Sequence, residues 1–176
     1  MLSQIRFAQA KNTIARWLLS VGDHALPVVA RVPQALQRLP LQPLLNKVFA
    51  SALRDGVFDV LEGRWIRLNL RDLNLSWCMT MRRGQLELAQ NAPFEASISG
   101  NWREFLLLAS RQEDPDTLFF RRRLSIEGDT EFGLEVKNLI DSLDPDELPP
   151  RLWQALVWLG EGAALDTRGL VAKPSA

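Results

Sequence analysis

The stretch that decides the fold is PDTLFFRRRLSIEGDTEFGLEVKNLIDSL, residues 115–143. It predicts a short helical turn over Thr117–Phe120, a strand over Arg123–Glu127 and, after Gly128-Asp129, an amphipathic helix. Gly128 suits the abrupt change of direction, because it takes backbone angles that other residues resist. Asp129 or Thr130 can cap the free N–H groups that open the helix, and Glu131 places an anion in its first turn. Phe132, Val136, Leu139, Ile140 and Leu143 then recur on one helical face. The unit is built to lean an apolar helix against a sheet, and it holds no catalytic constellation.

Upstream, from Val57 to Ser99, the pattern has period two. Ile66, Leu68 and Leu70 alternate with Arg67, Asn69 and Arg71; Leu75, Trp77, Met79 and Met81 alternate with Ser76, Cys78 and Thr80. Leu86 and Leu88, then Phe94, Ala96 and Ile98, continue the alternation across turns at Arg83-Gly84 and Asn91-Ala92-Pro93. Short turns between such strands predict an antiparallel meander with one wet and one covered face. With the strand before Gly128 the sheet has five strands, so the fold class is α+β with a mainly antiparallel sheet covered by helices. Trp102–Ser110 predicts a helix with Phe105, Leu106 and Ala109 inward, and Arg151–Gly160 a last helix through Leu152, Trp153, Leu156, Val157 and Leu159. From Gly162 onward the pattern fades into a tail expected to be mobile.

The N-terminal part is different. Ile14, Trp17, Leu18 and Val21 fall on one helical face with Lys11 and Arg16 off it. His24–Pro43 is apolar but carries Pro27, Pro33, Pro40 and Pro43, which favours short turns, either as an interfacial flap or as packed irregular chain. Leu45, Val48, Phe49 and Ala52 restore helical spacing. The organisation expected is a basic extension over 1–39, a main domain over 40–162 and a flexible tail over 163–176.

Lys and Arg total 21, as do Asp and Glu. Residues 1–54 hold seven of the bases and one acid, Asp23. That part is therefore net positive and the rest equally negative. Either an anionic surface meets the basic part, or the two halves attract one another. The balance leaves no long basic stripe for nucleic acid. One cysteine, Cys78, and one histidine, His24, exclude an internal disulfide and a Cys/His zinc set within one chain. Arg6, Lys11 and Arg16 interrupt any signal-peptide core, and no apolar run is long enough to span a membrane. A cytoplasmic protein, peripheral on the inner membrane, is the expectation.

Candidate chemistry is sparse. His24 lies in the Pro-rich extension, far from the ordered sheet. The carboxylates Glu113, Asp114 and Asp116 read as a solvated loop, and Asp129 and Glu131 as helix caps. No phosphate-binding glycine motif is present. Arg121-Arg122-Arg123 reads either as a phosphate contact or as partners of the 113–116 loop. What stands out is an apolar surplus: six tryptophans, the sheet residues Met79 and Met81, and the run Phe105–Leu108. Such side chains suit a pocket for flexible apolar ligands, or else an ordinary core.

Asp114-Pro115-Asp116-Thr117-Leu118-Phe119-Phe120, followed by Arg123-Leu124-Ser125-Ile126-Glu127-Gly128-Asp129 and an amphipathic helix, resembles the sterol-carrier-protein-2 (SCP2) family over roughly 40–143. Leu61-Glu62-Gly63-Arg64-Trp65, Gln90-Asn91-Ala92 and Arg111-Gln112-Glu113 add similarity to its members that serve as accessory factors in oxygen-independent ubiquinone biosynthesis in proteobacteria. The resemblance implies an apolar cavity between sheet and helices, no catalytic residues and no cofactor. It implies polyprenylated quinone intermediates or other lipids as ligands and two iron–sulfur hydroxylation factors, UbiU and UbiV, as partners; the basic N-terminal helix adds an anionic membrane surface as an expected partner. The residues expected at the cavity are Trp77, Met79, Phe105, Leu106, Phe119, Phe132, Val136, Ile140, Leu152 and Leu156. Those expected at the membrane are Lys11, Ile14, Arg16, Trp17 and Leu18. The alternative is an interaction scaffold with a filled core and no lipid.

Overall fold

Alternation in the sequence becomes one five-stranded sheet. The computed structural model describes residues 17, 19–28 and 30–171, with side chains described at all of these except 34, 147 and 166–171. Strands β1 (Ile66–Leu70), β2 (Leu75–Arg82), β3 (Gln85–Ala89), β4 (Ala96–Gly100) and β5 (Ser125–Gly128) stand in the order β3-β2-β1-β4-β5. Around them lie a helical segment over 19–28 and helices α1 (Gln34–Val48), α2 (Ala50–Arg54), α3 (Trp102–Ala109), α4 (Pro115–Phe120), α5 (Thr130–Ser142) and α6 (Pro150–Val171). Cross-strand pairs put Ile66, Leu68, Trp77, Met79, Leu88 and Ile98 on one face. That face meets the main core, where Phe58, Leu61, Phe132, Val136 and Leu139 are buried.

The sheet is not a meander. β4 does not follow β3 but runs parallel to β1 on its far side, Ile66 opposite Ala96. Ala89 stands opposite Cys78 and Cys78 opposite Arg67, so β3 stops near the level at which β4 begins. Residues 90–95 therefore form a short crossover rather than a hairpin. They pass over the polar face: Phe94 lies 4.9 Å from the Arg67 guanidinium, and Gln90 and Ala92 carbonyls sit 3.9 Å from Cys78 Sγ. That face is accordingly not all wet. Cys78, Thr80, Ser97 and Ser99 are buried.

The corner at Gly128 forms as its residues require. Gly128 has φ +89°, Asp129 Oδ1 accepts from Phe132 N–H at 3.0 Å, and Asp129 N–H donates to Glu95 O at 2.8 Å. Arg64, from the chain entering β1, joins the same corner. Its guanidinium reaches Glu95 at 2.8 Å, Asp129 at 3.2 Å and Glu135 at 3.3 Å, and lies 3.8 Å from the Phe132 ring centre. The hydrogen bond to Glu95 is the largest influence holding Arg64 above its ordinary pKa, with the neighbouring carboxylate charges adding to it. The strand itself starts two residues later than expected, because the turn that ends α4 runs on to Leu124: Arg122 N–H donates to Phe119 O, and Arg123 and Leu124 N–H donate to Leu118 O. Arg121 and Arg123 both bind Glu113, at 2.7 and 2.9 Å, and Arg123 also binds the buried Glu104 at 3.1 Å. Asp114 caps α4 by accepting from Thr117, whose side-chain and backbone hydrogen bonds lower its pKa.

Two helices run further than the sequence pattern suggests. Pro40 and Pro43 do not break the chain into turns; both lie inside α1. Each proline removes one intrahelical bond, leaving the Leu36 and Leu39 carbonyls without those donors. Leu36 and Leu39 are exposed, so water can satisfy those carbonyls. The stretch after Gly162 is helical through Val171, because Ala163 is buried against Leu19 and Leu107. In α3, Leu107 and Leu108 are buried, whereas Ala109 is exposed.

Helix α1 also closes a sheet edge. β3 is an edge strand, so Leu86 and Leu88 turn main-chain groups outward. Asn46 Nδ2 donates to Leu86 O at 2.9 Å, Leu86 N–H donates to Asn46 Oδ1 at 2.8 Å, and Leu88 N–H donates to Gln42 Oε1 at 3.1 Å. Two side-chain amides thus stand in for a sixth strand. Replacing Asn46 with alanine strips Leu86 of both partners and should cost about 2 kcal/mol. Urea unfolding would show it as a lower midpoint. An unchanged midpoint would mean that water substitutes for the amide.

Candidate binding cavity

Above the apolar sheet face the layers do not close. A cavity of about 490 Å³ lies among the sheet, α1, α3, α5 and α6. Its floor is strand side chains, Leu68, Leu70, Trp77, Met79, Leu86 and Leu88. α1 contributes Leu41, Leu44, Leu45 and Val48, a set produced by its i, i+3, i+4, i+7 spacing. α5 contributes Val136, Leu139 and Ile140, and α6 Leu152, Trp153 and Leu156. All lining residues except Arg111 and Asp144 are apolar. The volume falls within the roughly 300–1,000 Å³ of small-molecule pockets. Such a wall binds by removing apolar surface from water, at about 25 cal/mol per Å².

The two charged residues sit where α5 ends. Arg111 donates to Asp141 O at 2.6 Å and Leu143 O at 2.5 Å, and pairs with the Asp141 carboxylate at 2.9 Å. It thereby satisfies carbonyls that the helix terminus leaves open. Leu44 and Leu152 each line the cavity and are also 55% and 37% exposed, so they stand at its mouth.

Of the residues expected at the cavity, Trp77, Met79, Phe105, Val136, Ile140, Leu152 and Leu156 line it. Three lie elsewhere. Leu106 packs in a separate cluster with Leu19, Leu107 and Ala163. Phe119 packs beside Leu118 and Leu124. Phe132 is buried in the main core under the Arg64 guanidinium. α3 and α5 do reach the cavity, but Leu106 falls on a different face of α3 from Phe105 and Leu108, Phe132 lies a turn before Val136, and no residue of α4 lines the cavity. Leu41 lies between Pro40 and Pro43, in the stretch expected to form turns, and Leu44 and Leu45 fall in the helical spacing without being among the residues expected at the cavity. Of the residues expected at the membrane, Trp17 is 63% exposed, while Lys11, Ile14, Arg16 and Leu18 lie outside the described residues. His24 contacts Ser20 O at 2.7 Å within its own helical segment. Among the described residues no helix is long and apolar enough to cross a membrane.

Comparison with known proteins agrees with this architecture. The model of the SCP-2 sterol transfer family matches residues 44–141. The ubiquinone biosynthesis accessory factor UbiT of Escherichia coli strain K12 is 41% identical over 145 residues, covering 82% of this chain and 83% of the relative. UbiT of Escherichia coli O157:H7 matches to the same extent. Among solved structures, one described as UbiJ-SCP2 ubiquinone synthesis protein superposes with a TM-score of 0.50 at 17% identity, over 61% of this chain and 96% of that one. That likeness is one of fold. The chain belongs to the SCP-2 sterol transfer family, in the branch that the UbiT proteins represent.

Proposed function

We propose that this chain is a non-catalytic, lipid-binding accessory factor of ubiquinone biosynthesis, holding polyprenylated quinone intermediates or related lipids in the cavity above its sheet. The observation that carries the reading is the lining. An apolar wall with two charged residues at one end suits a long hydrocarbon with a small polar head. Binding by exclusion of water needs no reacting group. A prenylated precursor is nearly insoluble, and a protein that shields its tail can present it to soluble enzymes. The similarity to UbiT supports placing it in the oxygen-independent route, beside the hydroxylation factors UbiU and UbiV. The space above the sheet supports this reading over the scaffold alternative, which needs a filled core.

The direct test is organic extraction of the purified chain followed by mass spectrometry. Recovery of a polyprenylated quinone precursor, at a stoichiometry approaching one per chain, is expected. Recovery of no lipid, under conditions that retain ligand in a known carrier, would count decisively against the reading. Contact of Lys11, Ile14, Arg16, Trp17 and Leu18 with an anionic membrane belongs to the same proposal. It is tested by comparing vesicle binding of the full chain with that of a chain lacking residues 1–16. The truncation must stop there, because Leu19 is buried against Leu107 and Ala163.

A further inference from the structure

Helix α1 carries a second apolar face besides the one that lines the cavity. Leu36, Leu39, Pro40 and Pro43 recur at i, i+3, i+4 and i+7, and all four are exposed, Leu36 at 57% and Leu39 at 71%. The sequence around them is one-signed. From residue 24 to residue 54 there are Arg31, Arg38, Lys47 and Arg54 and no acidic residue. These four side chains are exposed as well. At one border of the face stands Leu44, which is both exposed and part of the cavity wall.

We infer that this outer face of α1 is the surface by which the protein seats on an anionic lipid bilayer, with the cavity mouth at Leu44 and Leu152 opening beside it. Three observations favour a bilayer over a protein partner. The stretch from residue 24 to residue 54, basic and without an acid, complements anionic headgroups. The two prolines deprive the Leu36 and Leu39 carbonyls of intrahelical donors on this same face. A dry protein interface would bury those carbonyls unpaired, whereas the headgroup zone is wet and satisfies them. The same carbonyls limit the helix to interfacial depth, since the hydrocarbon core offers no donor. Finally, the face is continuous with the mouth through Leu44, so an apolar tail passes from bilayer to cavity over leucine rather than through water. That last step rests on the cavity being a lipid site; the seating itself does not.

The test is sedimentation of the full chain with phosphatidylcholine vesicles, with and without phosphatidylglycerol. Wild type should partition onto the anionic vesicles, and the double variant L36E/L39E should bind about tenfold less or weaker still. Its melting temperature should hold, because both side chains are exposed. A variant that binds as wild type does, or a wild type indifferent to phosphatidylglycerol, overturns the inference. A second measurement avoids any folding defect. Cys78 is buried, so Leu39→Cys can be labelled selectively with an environment-sensitive dye. A blue shift on adding anionic vesicles supports seating through α1. No shift, or a shift produced by raising protein concentration alone, assigns the face elsewhere. Extraction separates the two readings: vesicle binding through Leu36 and Leu39 without any recovered lipid sinks the cavity proposal and leaves this one standing, and recovered lipid without that dependence does the reverse.

Discussion

Replacing Gly128 with alanine should destabilise the protein by about 3 kcal/mol or more. Two costs coincide there. The backbone sits at φ +89°, where any residue with a Cβ is strained. An added Cβ would also overlap the Glu95 carbonyl oxygen and come within 3.2 Å of Ala96 Cα, neither of which is a flexible side-chain end. Relief would require β5 to move away from β4, and with it the N-terminus of α5. Since α5 supplies Val136, Leu139 and Ile140 to the cavity, ligand retention should fall together with the unfolding midpoint. Urea denaturation reads the first and extraction the second. A midpoint within experimental error of wild type would show that the corner is slack.

The second large effect distinguishes a ligand cavity from a filled core. Met79 lies mid-strand in β2 between Ile66 and Leu88 and lines the cavity while only half-buried. Substitution by tryptophan places added bulk where the structure leaves space. Recovered lipid should then drop by about tenfold or more, with little change in stability. In a solid core the same change would overpack, cost about 1–3 kcal/mol and leave no ligand to lose. Measuring lipid content and melting temperature on one preparation decides the matter. A stable variant with undiminished lipid would place the ligand outside this cavity.

The sequence was most legible where the decisive interactions are local. Gly128-Asp129 announced both the turn and the helix cap, and period two announced every strand of the first four. It was least legible where distant partners overrule local rules. The crossover at residues 90–95 depends on where β3 stops, which is a matter of register and not of turn composition. Pro40 and Pro43 argue against a helix, yet α1 is helical because Leu41, Leu45 and Val48 face the cavity and Gln42 and Asn46 bind the β3 edge. Nothing near Arg64 in sequence points to Asp129 or Glu135, more than sixty residues away. The cavity itself was legible as a class of side chain, but not as a membership. Phe132 and Ile140 share a helical face, yet only Ile140 reaches the cavity, because α5 runs from the sheet corner toward the open end.

The amide pair on α1 constrains how the cavity can be filled. A helix held by apolar contact alone could swing aside like a door. α1 cannot do so without stripping Leu86 and Leu88 of their partners and baring a strand edge to any passing chain. On the proposed function, a ligand would pass the mouth with the helix backbone in place, by rotation of side chains such as Leu44 and Leu152. Leu86 and Leu88 amide protons should therefore exchange as slowly during ligand transfer as at rest. Accelerated exchange on adding vesicles would instead mean that the edge opens each time a ligand passes.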